Sequence, residues 1–167
     1  MSCKCNSAVE IKFAKVNKEA VIPSKKDEDA GYDIYAYIDE DVFVIEPFTT
    51  RMVPTGIASA IPEEYYFQVE ERGSTGTKGM KKSAGVIDSG FRGEWFIPIT
   101  NCNHKPIVIT KDETFTNNNY IVYPYGKAIA QAVLLPVPKT KIVEISYEEL
   151  EKIPSQRGKG IMGSSNK

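Results

Sequence analysis

The chain is poor in the residues that build metal and redox centres. Among 167 residues there is one histidine, His104, and three cysteines, Cys3, Cys5 and Cys102. An odd cysteine count without framework spacing argues against a secreted disulfide scaffold. Cys3 and Cys5 could form half of a metal site, but no second Cys or His pair follows, and a frayed terminus is the expected reading. Any mechanism that needs a histidine base would depend on His104, which lies in the loop-like Asn101-Cys102-Asn103-His104-Lys105-Pro106. No apolar run is long enough to span a membrane. The start, Met1 to Phe13, lacks a basic region followed by an apolar run, so no signal peptide is expected and a reducing cytoplasm is. The formal net charge is −1. That balance supplies neither a broad basic face for nucleic acid nor a polybasic patch for a membrane. An anionic ligand would have to be met by a few local Arg and Lys residues.

Helical periodicity is almost missing too. Short runs rich in Ile, Val, Tyr and Phe recur between Pro, Gly, Asn and Asp, the pattern of half-buried strands punctuated by turns. Strands are expected at Val9–Phe13, Tyr32–Tyr37, Val42–Ile45, Arg51–Val53, Gly56–Ile61, Tyr65–Val69, Val86–Ile87, Trp95–Ile99, Ile107–Ile109, Tyr120–Tyr123, Ile129–Val133 and Ile142–Ile145. Pro98 cannot donate to a ladder, so its stretch should be an edge or a bulge. Lys111–Asn119 is polar and reads as a surface loop. Only Ser146–Lys152 reads as helix, with Ser146 as cap and Glu148 and Glu149 in the first turn, where the helix dipole favours acids. The length sets one domain as the default, and many short strands indicate an all-β sandwich, jelly roll or distorted barrel. Arg157–Lys167 is glycine-rich with few apolar groups and cannot form a core element.

Five segments carry chemistry: Ala30-Gly31-Tyr32-Asp33-Ile34-Tyr35, Arg72-Gly73-Ser74-Thr75-Gly76, Gly85 to Gly93 (GVIDSGFRG), Gly126 to Gln131 (GKAIAQ), and the tail from Arg157 to Ser165. Taken singly, each has an ordinary explanation in turn chemistry. Taken together, in this order and of these types, they resemble the five motifs of the trimeric dUTP diphosphatase (dUTPase) family, from about Val9 to the C-terminus. The resemblance implies a jelly-roll homotrimer with three active sites, each built from three chains, and an exchanged C-terminal arm, residues 157–167, that closes over the nucleotide after a β domain of residues 1–156. It implies hydrolysis of dUTP to dUMP and pyrophosphate, with Mg²⁺ as cofactor held mainly by substrate phosphates rather than by protein ligands.

Residue roles follow from that resemblance and agree with simple chemistry. Asp88 is the expected general base, because a carboxylate is ionised at neutral pH and can deprotonate an attacking water. Arg72, Gly73 and Ser74 are expected at a phosphate, approached closely by small residues. Gln131 is expected to donate its amide to an α- or β-phosphate oxygen, and Arg157 to bind the terminal phosphate as a bidentate fork. The backbone of a hairpin at Gly85, Val86 and Ile87 would read the uracil edge, with Phe91 against the deoxyribose. Met162 would cover the base, Ser164 would meet phosphate, and Asp33 would organise the site and the metal's water shell.

The chain departs from the family pattern at several points. Phe91 stands where the family usually has Tyr, and Gly73 separates Arg72 from Ser74, which the family places directly after Arg. The stretch between Arg72 and Gly85 is short, with Ser83 a candidate for the missing polar residue beside uracil. Lys127-Ala128 replaces an acidic-basic pair. Met162 replaces an aromatic lid; a thioether still contacts a π face but is more flexible than a ring. Residues 111–125 look like an insertion of the kind found in some phage-type enzymes. Two other functions remain open: a dCTP deaminase-like enzyme of the same fold, against which Pro98 stands where that family needs Glu, and a nucleotide-switched regulatory binding protein with a protein partner.

Overall fold

The computed structural model describes residues 8–159. Cys3 and Cys5 therefore lie outside the described residues, as do Met162 and Ser164. Twelve strands and two short helices make up the described chain. The strands are β1 (Lys12–Lys15), β2 (Gly31–Ile34), β3 (Val42–Ile45), β4 (Thr50–Pro54), β5 (Ile57–Ala60), β6 (Tyr65–Glu70), β7 (Met80–Lys82), β8 (Val86–Ile87), β9 (Phe96–Asn101), β10 (Ile107–Thr110), β11 (Ile121–Pro124) and β12 (Ala130–Pro136). Helix α1 (Gly73–Gly76) is a single turn, and α2 (Tyr147–Lys152) follows the last strand. The strands form small sheets in the orders β2-β12-β6-β8, β4-β9-β7, β11-β10-β3 and β1-β5, an all-β jelly-roll arrangement.

Alternation decides which side chains enter the core. Strand β9 buries Ile97, Ile99 and Asn101 and turns Phe96, Pro98 and Thr100 outward, the period of two expected of a half-buried strand. Strand β10, central between β3 and β11 in its sheet, is buried at all four residues and so is covered on both faces. An aromatic cluster of Phe13, Phe67 and Trp95, with ring centroids 5.2–5.6 Å apart, closes the core beside Tyr32. Bringing β10 and β11 together in parallel requires the chain to return the length of a strand, which a tight turn cannot do. The exposed, polar Lys111–Asn119 stretch is that connection.

Three expectations fail. Ile142–Ile145 is not a strand: it is irregular, with Ile142 95% exposed, because no described sheet edge pairs with it. Pro98 lies in the central strand of β4-β9-β7, opposite Met52. Its carbonyl accepts from the Ser83 N–H at 2.8 Å, so the missing donor faces the point where β7 ends, and only one ladder bond is lost. The Gly85–Gly93 segment turns, with the Phe91 N–H bonded to the Asp88 carbonyl at 3.1 Å. It is not a laddered hairpin, because β8 pairs with β6 and not with the chain beyond the turn. Strand β7 and helix α1 were not anticipated. The α2 helix is as expected, capped by Ser146, whose side chain accepts from the Glu149 N–H while Glu149 reaches back to the Ser146 N–H.

Candidate functional site

Antiparallel pairing of β2 and β12 sets Gln131 opposite Asp33, and pairing of β12 and β6 sets Gln131 opposite Glu70. Residues opposite one another share a face. Asp33, Gln131 and Glu70 are therefore on one side of the sheet, while Ile34, Ala130, Ala132 and Val69 fill the core on the other. The chain leaves β6 through Glu71 and Arg72, which carries the arginine to the same corner. Its guanidinium forms a fork on Asp33, Nε to Oδ1 at 2.9 Å and Nη2 to Oδ2 at 3.2 Å, and Nη1 donates to the Ala128 carbonyl at 3.4 Å. Both side chains are 31% exposed. Three segments that are far apart in sequence thus meet at one half-buried ion pair.

Gly73 and Ser74 are exposed on the one-turn helix α1, with Arg72 at its N-cap. Thr75 makes this turn. Its hydroxyl accepts from the Arg72 N–H at 3.0 Å and donates to the Arg72 carbonyl at 2.9 Å, and the residue is fully buried. A buried hydroxyl with both partners satisfied was not readable from the composition of the segment. Gln131 donates Nε2 to the Glu71 carbonyl at 2.9 Å, so the amide expected at a phosphate already has one hydrogen committed to the backbone.

The second group of residues surrounds the acidic turn. Asp88 is exposed at its start and lines a cavity of about 230 Å³ with Met52, Val86, Ile87, Phe91, Glu94 and Phe96. Gly85 is tied to β6: its carbonyl accepts from the Val69 N–H at 2.7 Å, and a Cβ there would stand 2.7 Å from the Val69 carbonyl oxygen. That close backbone approach explains the glycine. Phe91 is 43% exposed and lays its ring back over Gly93, where a Cβ would meet Cζ at 2.7 Å. Arg92 fastens the turn by donating Nη1 to the Ser89 carbonyl at 2.5 Å and the Phe91 carbonyl at 3.0 Å. Ser83 pairs its hydroxyl with Thr100 on the neighbouring strand. Cavities of about 430 Å³ by Phe43 and Arg51, about 530 Å³ beside α2 and about 280 Å³ by Lys12 and Ile61 are larger, but none of these contains a motif residue of the β domain.

Arg157 is exposed, with its N–H on the Ser155 hydroxyl at 3.3 Å. Beyond it, Lys159 pairs with Glu151 and lies 5.5 Å from the Tyr147 ring centre. Among the described residues no group of three His, Cys, Asp or Glu is placed to hold a metal ion, and no helix is long and apolar enough to cross a membrane.

Comparison with solved structures gives the class first. The chain superposes on the dUTPase of Staphylococcus bacteriophage 80alpha solved with dUPNHPP at a TM-score of 0.71 and 25% identity, covering 95% of this chain and 99% of that one. That phage protein belongs to a group described as controlling transfer of virulence genes by a proto-oncogenic G protein-like mechanism. The architecture is thus the dUTPase-type β fold. The deoxyuridine 5'-triphosphate nucleotidohydrolase of Nautilia profundicola is 32% identical over 163 residues, 95% of this chain and all of that protein. The protein of the same name from Leptospira interrogans is 41% identical over 83 residues, 48% of this chain and 57% of that one, so this match spans little more than half of that relative. The dUTPase family model matches residues 17–166. The chain belongs to the dUTPase family.

Proposed function

We propose that this protein hydrolyses dUTP to dUMP and pyrophosphate, with Asp88 as general base. The observation that carries the reading is the meeting of Asp33, Arg72 and Gln131 on one sheet face, in a chain whose family match spans nearly its whole length. The water oxygen bonds to the α-phosphorus, its proton passes to the Asp88 carboxylate, and the α–β bridging bond breaks to release pyrophosphate. Magnesium enters with the triphosphate as part of the substrate, held mainly by phosphate oxygens and water. Ser74 and Gly73 on their exposed turn meet phosphate, as does Gln131. Arg72, already bound to Asp33, anchors that turn and contributes its charge at short range. The backbone of Gly85, Val86 and Ile87 reads the uracil edge, and Phe91 and Phe96 wall the sugar.

The chain works as a homotrimer with an exchanged arm, in which Arg157, Met162 and Ser164 close the site. Support comes from the exposed apolar residues Met52, Val86 and Phe91 around the cavity and Ile142, Val143 and Ile145 before the arm. Such patches mark surfaces that another chain covers. The cytoplasm is its compartment. A second reading, a nucleotide-switched regulatory partner, is favoured by the exposed 111–119 loop, where Phe115 lies 6.2 Å from Tyr120, and by the role described for the phage relatives.

The deciding experiment measures pyrophosphate release from dUTP, dCTP, dTTP and UTP with Mg²⁺. The expected result is a kcat/KM for dUTP about a hundredfold or more above the other three, the scale that hydrogen-bond readout of a base edge supplies. Comparable turnover of dCTP or dTTP would refute it, and ammonia release from dCTP would establish the deaminase reading.

A further inference from the structure

Gly31 lies diagonally across the β2–β12 pairing from Gln131: Val133 is opposite Gly31 and Gln131 is opposite Asp33. Diagonal neighbours on one face are within reach of a long side chain. The Gln131 side chain leans across β2 at Gly31. A Cβ built there would be 2.5 Å from Gln131 Oε1, closer than real carbons come, and 3.0 Å from Cβ and 3.1 Å from Cδ, tight contacts that a shift of a few tenths of an ångström relieves. Gly31 has no left-handed backbone angle, so conformational freedom does not explain this glycine. The space above it does.

The other end of the carboxamide is held as firmly. Nε2 donates to the Glu71 carbonyl at 2.9 Å. That oxygen can only accept, so a flipped amide would set two oxygens against each other. One N–H is therefore spent on Glu71, Oε1 lies against Gly31, and the second N–H is left to point away from both.

We infer that Gly31 is a positioning residue: its missing side chain lets the Gln131 carboxamide lie flat between β2 and the Glu71 carbonyl, which aims the remaining N–H at a substrate phosphate. The inference rests on the reading of Gln131 as a phosphate donor and adds the element that sets its direction. It links two segments separated by about a hundred residues through a side-chain contact added to their strand pairing. Neither hydrophobic pattern nor turn chemistry predicts the need for glycine in a strand at that point, where glycine weakens the strand.

The atom that would clash hardest is the far end of a flexible side chain, so G31A should fold with Gln131 displaced. The test is a double-mutant cycle of G31A, Q131A and the pair, read as the Kd of dUPNHPP, with kcat and KM for dUTP and thermal denaturation alongside. Loss of a hydrogen bond to a charged group corresponds to roughly tenfold to a hundredfold in affinity. G31A and Q131A should each weaken dUPNHPP by about that much. The double variant should match Q131A within about twofold, because the added methyl then fills space that the carboxamide has already vacated. A strand merely weakened at position 31 would instead give losses that multiply, and that outcome overturns the inference. So does wild-type affinity in G31A. Unchanged affinity in Q131A removes the phosphate role of Gln131, and the inference with it, a result distinct from an additive cycle. If G31A alone does not fold, the pair still decides: recovery of fold with Q131A-like affinity supports the steric link, and an unfolded double variant overturns it.

Discussion

Replacing Asp33 with asparagine leaves shape and size intact and removes one charge from the fork on Arg72. The two contacts, at 2.9 and 3.2 Å, are worth about 4 kcal/mol of gross Coulomb attraction at an effective dielectric constant near 20. Desolvation and solvent screening take back much of this for side chains that are 31% exposed, which leaves a net contribution of about 1–2 kcal/mol, above the usual surface pair and below a fully buried one. The substituted carboxamide can still accept one bond from the guanidinium, but its nitrogen then faces a second donor. Arg72 keeps that one bond and the Ala128 carbonyl, at 3.4 Å, and the Ser74 turn that it caps loosens. At ~2–4 °C per kcal/mol for a chain of this size, D33N should melt roughly 2–8 °C below wild type in scanning calorimetry at fixed protein concentration. The deficit should shrink in ~1 M salt, where the screening length falls to about 3 Å. A melting temperature within half a degree of wild type at low salt, about the scatter of a replicate scan against that slope, would mean that the fork does not hold this corner of the sheet together.

The Asp88→Asn variant should lose about two to four orders of magnitude in kcat, the usual contribution of a general base, while keeping its affinity for dUPNHPP; activity within about fivefold of wild type would assign water activation to another group. Tyr37 donates its hydroxyl to Asp39 at 2.6 Å and accepts from Asn17 at 2.6 Å, and the bond to Asp39 pushes its pKa from 10.0 up to about 12. The folded state therefore holds this proton more tightly than the unfolded chain. The stabilisation is complete below pH 10, declines above it and is gone once pH passes about 12; denaturant titrations should find this alkaline loss in wild type and not in Tyr37→Phe. Ser146→Ala should cost the α2 cap about 1 kcal/mol, visible as faster amide exchange in Tyr147–Lys152 with β12 unaffected. Glu149 has its pKa lowered by its hydrogen bonds to Ser146, so its half of the cap is present at neutral pH and is lost as pH falls below the ordinary carboxylate value of 4.5. Equal protection factors at neutral and acid pH, with the intrinsic pH dependence of amide exchange divided out, would rule that half out.

Much of the strand inventory was legible because it depends on local rules. Val42–Ile45 and Val86–Ile87 have the expected bounds, and α2 starts at the expected cap, since alternation, turn residues and capping boxes act over a few residues. The motif residues were recognisable as a set, because their types and order persist whatever their surroundings. Ile142–Ile145 shows where local rules stop. An apolar run has strand propensity, but a strand needs an edge to pair with, and no described edge is opposite it. Pro98 shows the reverse. The general rule for proline sends it to an edge, yet a central position is tolerated where the adjacent strand ends after Lys82.

The sequence by itself determined the fold class, the capped helix α2, and which polar residues were candidates for chemistry, because each is written in neighbouring residues. Only the tertiary structure decided what those residues touch. It joined Arg72 to Asp33 and Ala128, gave the Gln131 amide to the Glu71 carbonyl, buried the Thr75 hydroxyl inside its turn, and left Gly31 bare because Gln131 occupies the space above it. Those contacts depend on strand register, which one residue of slip would send to the opposite face. Register is set by the packing of the whole sheet and by no single segment.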